Sequence, residues 1–178
     1  MRNIIILSFL IISGCANPLN RVTSDNYAEE CSIAEDKGNL IVAEEACYRA
    51  MVNVDWGNLG DQLKSERTYN LARIKRRLAK FNEAEHLLKQ SLEIEERLSG
   101  PSSTKIGRRL AELSINLAAQ DKWTDGTPMV ERLITMADQY SGHERSFIKE
   151  ILQEYSKQLH SKGNHETANL FSTKANQL

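Results

Sequence analysis

Four kinds of side chain in this 178-residue sequence could carry chemistry: three cysteines, four histidines, clustered acids and one dense run of cations. His86, His143, His160 and His165 are scattered, and only the last two approach each other, across Gly163. A metal centre needs several ligands converging at helical or loop spacing, so these read as solvated or capping histidines and no cofactor is expected. Glu44-Glu45 and the cluster Glu93, Glu95, Glu96 fall on polar helix faces. Paired catalytic carboxylates would need a cleft that raises one pKa, so they read as solvated. No glycine-rich phosphate loop or nucleophile elbow occurs, and the chain is not expected to be an enzyme. The cation run is different. Residues 64–80 hold Lys64, Arg67, Arg73, Lys75, Arg76, Arg77 and Lys80 against the single acid Glu66. Tyr69, Arg73, Arg76 and Lys80 follow helical spacing, so they share a face.

Those residues must be positioned by helices. Hydrophobic content of 40% and charge of 26% are ordinary for a folded domain, and only three prolines interrupt the chain. The net charge of −1 offers no bulk attraction for nucleic acid. In residues 80–100, Ala84, Leu87, Leu88, Ser91, Leu92 and Leu98 form a helical stripe of apolar and small residues, stopped by Gly100-Pro101. The small positions recur: Ala43, Ala84, Gly126 and Ala168 are separated by 41, 42 and 42 residues. Ala50, Ser91, Leu133 and Ala175 repeat the same intervals, as do the turn positions Gly38, Ala79, Asp121 and Gly163. A fixed period near 42 predicts stacked helix-turn-helix units. The last helix is expected to cap the stack, because its outer face, with Asn169, Thr173, Lys174, Asn176 and Gln177, is polar.

The first residues read as a targeting device. Arg2 precedes an apolar run from Ile4 to Ile12, too short to span a bilayer. Ile12-Ser13-Gly14-Cys15 resembles the bacterial lipobox. That resemblance implies cleavage before Cys15 and acylation of its sulfur and amino group, the chain then being held in a membrane by lipid. Ala16 stands where that family's inner-membrane members carry Asp, so the resemblance implies an outer-membrane, periplasm-facing location. Residues 1–14 are thus expected to be a signal peptide and 15–24 a tether containing Pro18.

AKFNEAEHLLKQSLEIEERLSGPSS at 79–103 resembles the tetratricopeptide repeat in its longer, kinesin-light-chain form. KGNLIVAEEACYRAM at 37–51 and KGNHETANLFSTKANQ at 162–177 fit the shorter general pattern, and DKWTDGTPMVERLITMA at 121–137 is a fainter copy. The expectation is an all-α solenoid of about four units over residues 25–178, bounded at about 25–54, 62–98, 103–140 and 143–178. Ser24 or Asp25 is expected to cap the first helix. Gly126 costs about 1 kcal/mol relative to Ala inside a helix. Pro128 is tolerable only in a first turn. In this register Cys31 and Cys47 face each other on the two helices of unit one. In an exported chain that predicts a disulfide worth roughly 3 kcal/mol, the alternative being two buried thiols.

The repeat family lines a concave groove with the first helix of each unit. That places Tyr69, Asn70, Arg73 and Arg77 inward in unit two, Arg108, Glu112 and Ile115 in unit three, and Glu154, Lys157 and His160 in unit four. Three readings of this face stand: a groove whose arginines pair the carboxylates of an extended peptide or acidic segment, a solvated surface, or a contact with anionic lipid head groups near the anchor. The resemblance implies a binding scaffold or assembly accessory factor for another envelope protein, the alternatives being an adaptor of a cell-wall enzyme and an enzyme of unknown type. Self-association through a repeat end is open, and nucleic acid is not expected as a partner.

Overall fold

The computed structural model describes residues 17–100 and 103–178; the expected signal segment at 1–14, Cys15, Ala16, Pro101 and Ser102 lie outside the described residues. Eight α-helices follow one another: α1 (Pro18–Asp36), α2 (Leu40–Trp56), α3 (Asp61–Arg77), α4 (Phe81–Leu98), α5 (Thr104–Ala118), α6 (Trp123–Met136), α7 (Gly142–Ser161) and α8 (His165–Gln177). A 3-10 turn, Ala137–Gln139, follows α6. Among the described residues there is no strand. Consecutive helices pair as hairpins, and each hairpin packs on the next.

The turn inside each hairpin has one construction. Gly38, Ala79, Asp121 and Gly163 all adopt positive φ, at 72°, 59°, 57° and 84°. The residue after each donates its N–H to the carbonyl five positions earlier: Asn39 to Ala34, Lys80 to Lys75, Lys122 to Leu117 and Asn164 to Leu159, at 2.9–3.0 Å. This left-handed cap satisfies helix-end carbonyls. Ala79 and Asp121 adopt it despite their Cβ atoms, at the register positions that Gly38 and Gly163 fill in units one and four.

The small positions are where the hairpins close. Ala43, Ala84 and Ala168 are at most 1% exposed, and Gly126 is buried with them. Ala50, Ser91, Leu133 and Ala175 are buried in the same register. The sulfurs of Cys31 and Cys47 lie 2.09 Å apart, joining α1 to α2 at the facing positions expected.

Four expectations about the helices need correction. Residues 18–24 are not a tether: they are the first two turns of α1. Asn17 caps the helix by accepting the Leu19 N–H, and Pro18 sits at its first position. Proline there supplies the helical φ and lacks only an N–H that would be unpaired anyway. Ser24, expected as a cap, is buried and donates to the Ala50 carbonyl at 2.8 Å. Pro128 is not in a first turn either; α6 starts at Trp123, so Pro128 lies in its second turn. Finally, Lys174 does not belong to a solvated outer face of α8, because it reaches both carboxylate oxygens of Asp138 at 3.0 Å.

Candidate binding groove

The first helices of units two, three and four enclose a concave pocket of about 330 Å³. Tyr69 and Arg73 come from α3, Gly107, Arg108, Ala111 and Glu112 from α5, and His143, Glu144, Phe147 and Ile148 from α7, with Tyr140 closing one side. A second depression of about 270 Å³ adjoins it, sharing Tyr69 and Arg108 and adding Asn70 and Lys105. Four of the predicted inward residues, Tyr69, Arg73, Arg108 and Glu112, therefore meet in one pocket, and Asn70 lines its neighbour.

Ile115, Arg77 and Lys157 do not join them. Ile115 packs against the core, and Arg77 reaches Glu35 on α1 at 2.8 Å. Lys157 is exposed ten residues beyond Phe147, about 15 Å along α7 at helical rise. Glu154 and His160 are likewise outside the pocket lining. Unit four contributes the first turns of α7 instead, because α7 starts directly after Tyr140 and Glu144 pairs with Arg108 at 2.6 Å.

The cation run is neither a set of free arginines nor merely solvated. Arg73 and Arg77 both bind Glu35, Arg76 binds Glu112, Lys75 and Lys80 bind Glu44, Lys64 binds Asp55, and Arg67 binds Asp25. All five of these acids belong to other helices, α1, α2 and α5, so the run ties unit two to its neighbours. Lys80 to Glu44 recurs one unit later as Lys122 to Glu85, at 2.8 Å. Burial works against the Glu85 charge, but Lys122, Lys89 and Gln120 donate to it and hold its carboxyl down at about 2.

Sequence reasoning passed over a second repeated device. Arg67 and Arg109 are 42 residues apart and only 7% and 4% exposed. Each reaches back to a buried serine of the preceding unit: Arg67 Nε to Ser24 Oγ at 3.4 Å, and Arg109 Nη2 to Ser65 Oγ at 2.8 Å. Arg109 also lies 3.1 Å from Glu95. Burial disfavours the Glu95 charge, yet Ser99, Arg109 and Ser65 hold its carboxyl below the ordinary range. The repeat interval itself was the available signal, since Arg recurs at 42 while most charged residues do not. In unit four the same position is Ile151, which is buried and apolar.

Tyr69 forms the wall between the two depressions. Arg109 and Arg73 lie 4.9 and 5.9 Å from its ring centre, and burial with the nearby Glu112 charge pushes its hydroxyl up to about 12. Tyr140 is fixed by donation to the Thr104 carbonyl at 3.0 Å. Its hydroxyl passes so close to Gly107 that a Cβ there would lie 1.8 Å from it. Nothing in local spacing pairs residue 107 with residue 140. The pocket that results has an apolar floor of Phe147, Ile148 and Ala111. Two cations line it, Arg73 and Arg108, balanced by the buried Glu112 and the exposed Glu144. Arg73 and Arg108 against Glu112 and Glu144 sum to zero, so the pocket joins an apolar floor to balanced charges.

Similar architecture exists among solved structures. BtubC (BKLC) from P. vanneervenii superposes with a TM-score of 0.77 at 17% identity, over 89% of this chain and 63% of that one. The chain thus spans under two thirds of the length of BtubC. A putative kinesin light chain from Podosopora anserina with nearly identical TPR-like repeats gives 0.68 at 14% identity, over 86% and 74%. A singly substituted form of that protein gives 0.70 at 14%, over 94% and 77%. No family model matches the sequence, and no curated protein matches it. The architecture is an α-solenoid of four tetratricopeptide-like units.

Proposed function

We propose that the chain is a non-catalytic scaffold that holds another envelope protein in the groove of units two to four while lipid on Cys15 keeps it at a bacterial outer membrane, facing the periplasm. The observation that carries the binding role is the pocket between α3, α5 and α7. It is concave, its floor is apolar, and the ion pairs around its rim hold its shape before any partner arrives. Preformed walls lower the ordering cost of binding. An extended segment with one apolar or aromatic side chain for the floor fits it, its backbone amides meeting the rim charges. The anchor rests on the Ile12-Ser13-Gly14-Cys15 motif, and the Cys31–Cys47 pair supports passage through an oxidising compartment. Ala16 supports the outer membrane. Anchoring raises the local concentration of whatever the groove holds.

A photo-crosslinking side chain at the exposed His143, on the pocket rim, tests this in cells. The expected result is capture of a defined envelope protein that is lost in Arg108→Glu, which puts a second acid beside Glu144. Arg108 and Glu144 are solvent-exposed, so the substitution costs the fold at most about 1 kcal/mol. The same capture from Glu93, exposed on the outer helix α4, would refute the groove. Fatty-acid labelling that survives Cys15→Ala would refute the anchor.

A further inference from the structure

Unit one exposes apolar side chains at the end where the chain enters the fold. Leu19 is 72% exposed, Val22 56% and Trp56 77%. Leu19 and Val22 lie on the first turns of α1, and Trp56 is the last residue of α2. The two helix ends are pinned together. The Asn17 N–H donates to the Gly57 carbonyl at 3.0 Å, and the Asn20 amide donates to Asn53 at 3.3 Å. Neither the fold nor the repeat asks for a tryptophan there, because the register positions equivalent to Trp56 are Arg97 and Gln139.

Covalent reach says what lies beside this edge. Two peptide links separate Cys15 from Asn17, a span of at most about 7 Å. With Asn17 already bonded to Gly57 and α1 starting at Pro18, that span is the greatest distance between the domain and an acylated Cys15. The first turn of α1 and the last turn of α2 are then held at the depth of the lipid head groups. Tryptophan favours that zone because its ring is apolar and its N–H still finds water or ester oxygens. Charge does not oppose the approach. The first turn of α1 carries no acid, Asp25 is paired with Arg21 at 2.8 Å, and Asp55 with Lys64 at 2.7 Å. No described helix is long and apolar enough to cross the membrane, so the contact is one with the interface.

We propose that this edge of unit one, with Trp56, Leu19 and Val22, is seated in the head-group zone of the bilayer that holds Cys15, fixing the orientation of the solenoid on the membrane. The proposal rests on the lipid anchor. Seating in the interface turns a lipid leash into a rigid mount. The groove of units two to four is then presented at a set angle and height, since each hairpin is packed on the one before it.

The test uses the full acylated chain purified from membranes and reconstituted in phosphatidylcholine vesicles with or without bromine on the acyl chains. Trp56 is one of two tryptophans, so bromolipid should remove up to about half of the emission, and Trp56→Phe should abolish that loss. Trp56 is mostly solvent-exposed, so this variant leaves the fold intact. Mass analysis of Cys15 accompanies each sample. Acylated Cys15 with unquenched Trp56 overturns the seating and leaves the anchor standing. Cys15 without acyl chains overturns both.

Discussion

Gly126→Ala asks whether the α6–α7 junction is built from matched shapes or merely tolerates a poor helix former. On repeat logic the substitution should help: Ala43, Ala84 and Ala168 occupy this register, and alanine gains about 1 kcal/mol over glycine in a helix. The junction predicts the reverse. A Cβ at 126 would lie 1.9 Å from the Tyr155 hydroxyl oxygen and 2.8 Å from the ring carbon bearing it. Tyr155 cannot step aside cheaply. It is 1% exposed, donates to the Ser114 carbonyl at 2.7 Å, and stands edge-on to Trp123 and Phe171 with ring centres 5.1 and 6.4 Å away. Overpacking costs about 1–3 kcal/mol and the displaced hydrogen bond about 1. After the helix gain, the net loss is roughly 2 kcal/mol, a fall in melting temperature of about 4–8 °C for a chain this long. The register also names the compensating change. The residues equivalent to Tyr155 are Leu113 and Leu71, opposite Ala84 and Ala43 in sequence register. Gly126→Ala with Tyr155→Leu should therefore recover most of the loss. Urea and thermal unfolding of the two variants measure this. A single Gly126→Ala chain as stable as the parent would refute the reasoning.

Two further outcomes follow from the charges. Arg109→Ala leaves Glu95 buried without its cation, which should cost about 3–5 kcal/mol; Arg109→Met with Glu95→Met should cost clearly less, by the same unfolding measurement. The Glu85 carboxyl is depressed on folding, from 4.5 to about 2. The sign is that of a carboxylate favoured by the fold: its contribution is complete above pH 4.5 and is lost as pH falls towards 2. With screening of the partly exposed lysines, the loss amounts to about 1–2 kcal/mol. Glu85→Gln should flatten that part of a stability-against-pH curve, and an unchanged slope would rule the assignment out.

Ala43, Ala84, Gly126 and Ala168 made the hairpin register readable without coordinates, because close helix packing demands small side chains at a fixed interval. The turn positions and the Cys31–Cys47 pairing follow from that register. The groove was half legible. Tyr69, Arg73, Arg108 and Glu112 come from a face that the repeat resemblance turns inward, whereas Phe147, His143 and Tyr140 depend on how far α7 slides along α5. Pro18 misled because a proline reads alike in a tether and in a first helical turn; only the packing of Ser24 against Ala50 separates the two.

By itself the sequence determined what repeats: four pairs of helices, their turns, the facing cysteines and the interval between them. These are local matters of period and side-chain size, carried by neighbours along the chain. Tertiary structure decided where each charge ends up. Whether Arg73 is free to bind a ligand or is held by Glu35, and whether Gly126 is a weakness or the seat of Tyr155, depends on distances between helices that no single helix encodes. Stacking the hairpins brought those groups within reach, turning a run of loose cations into the clasps that shape the groove.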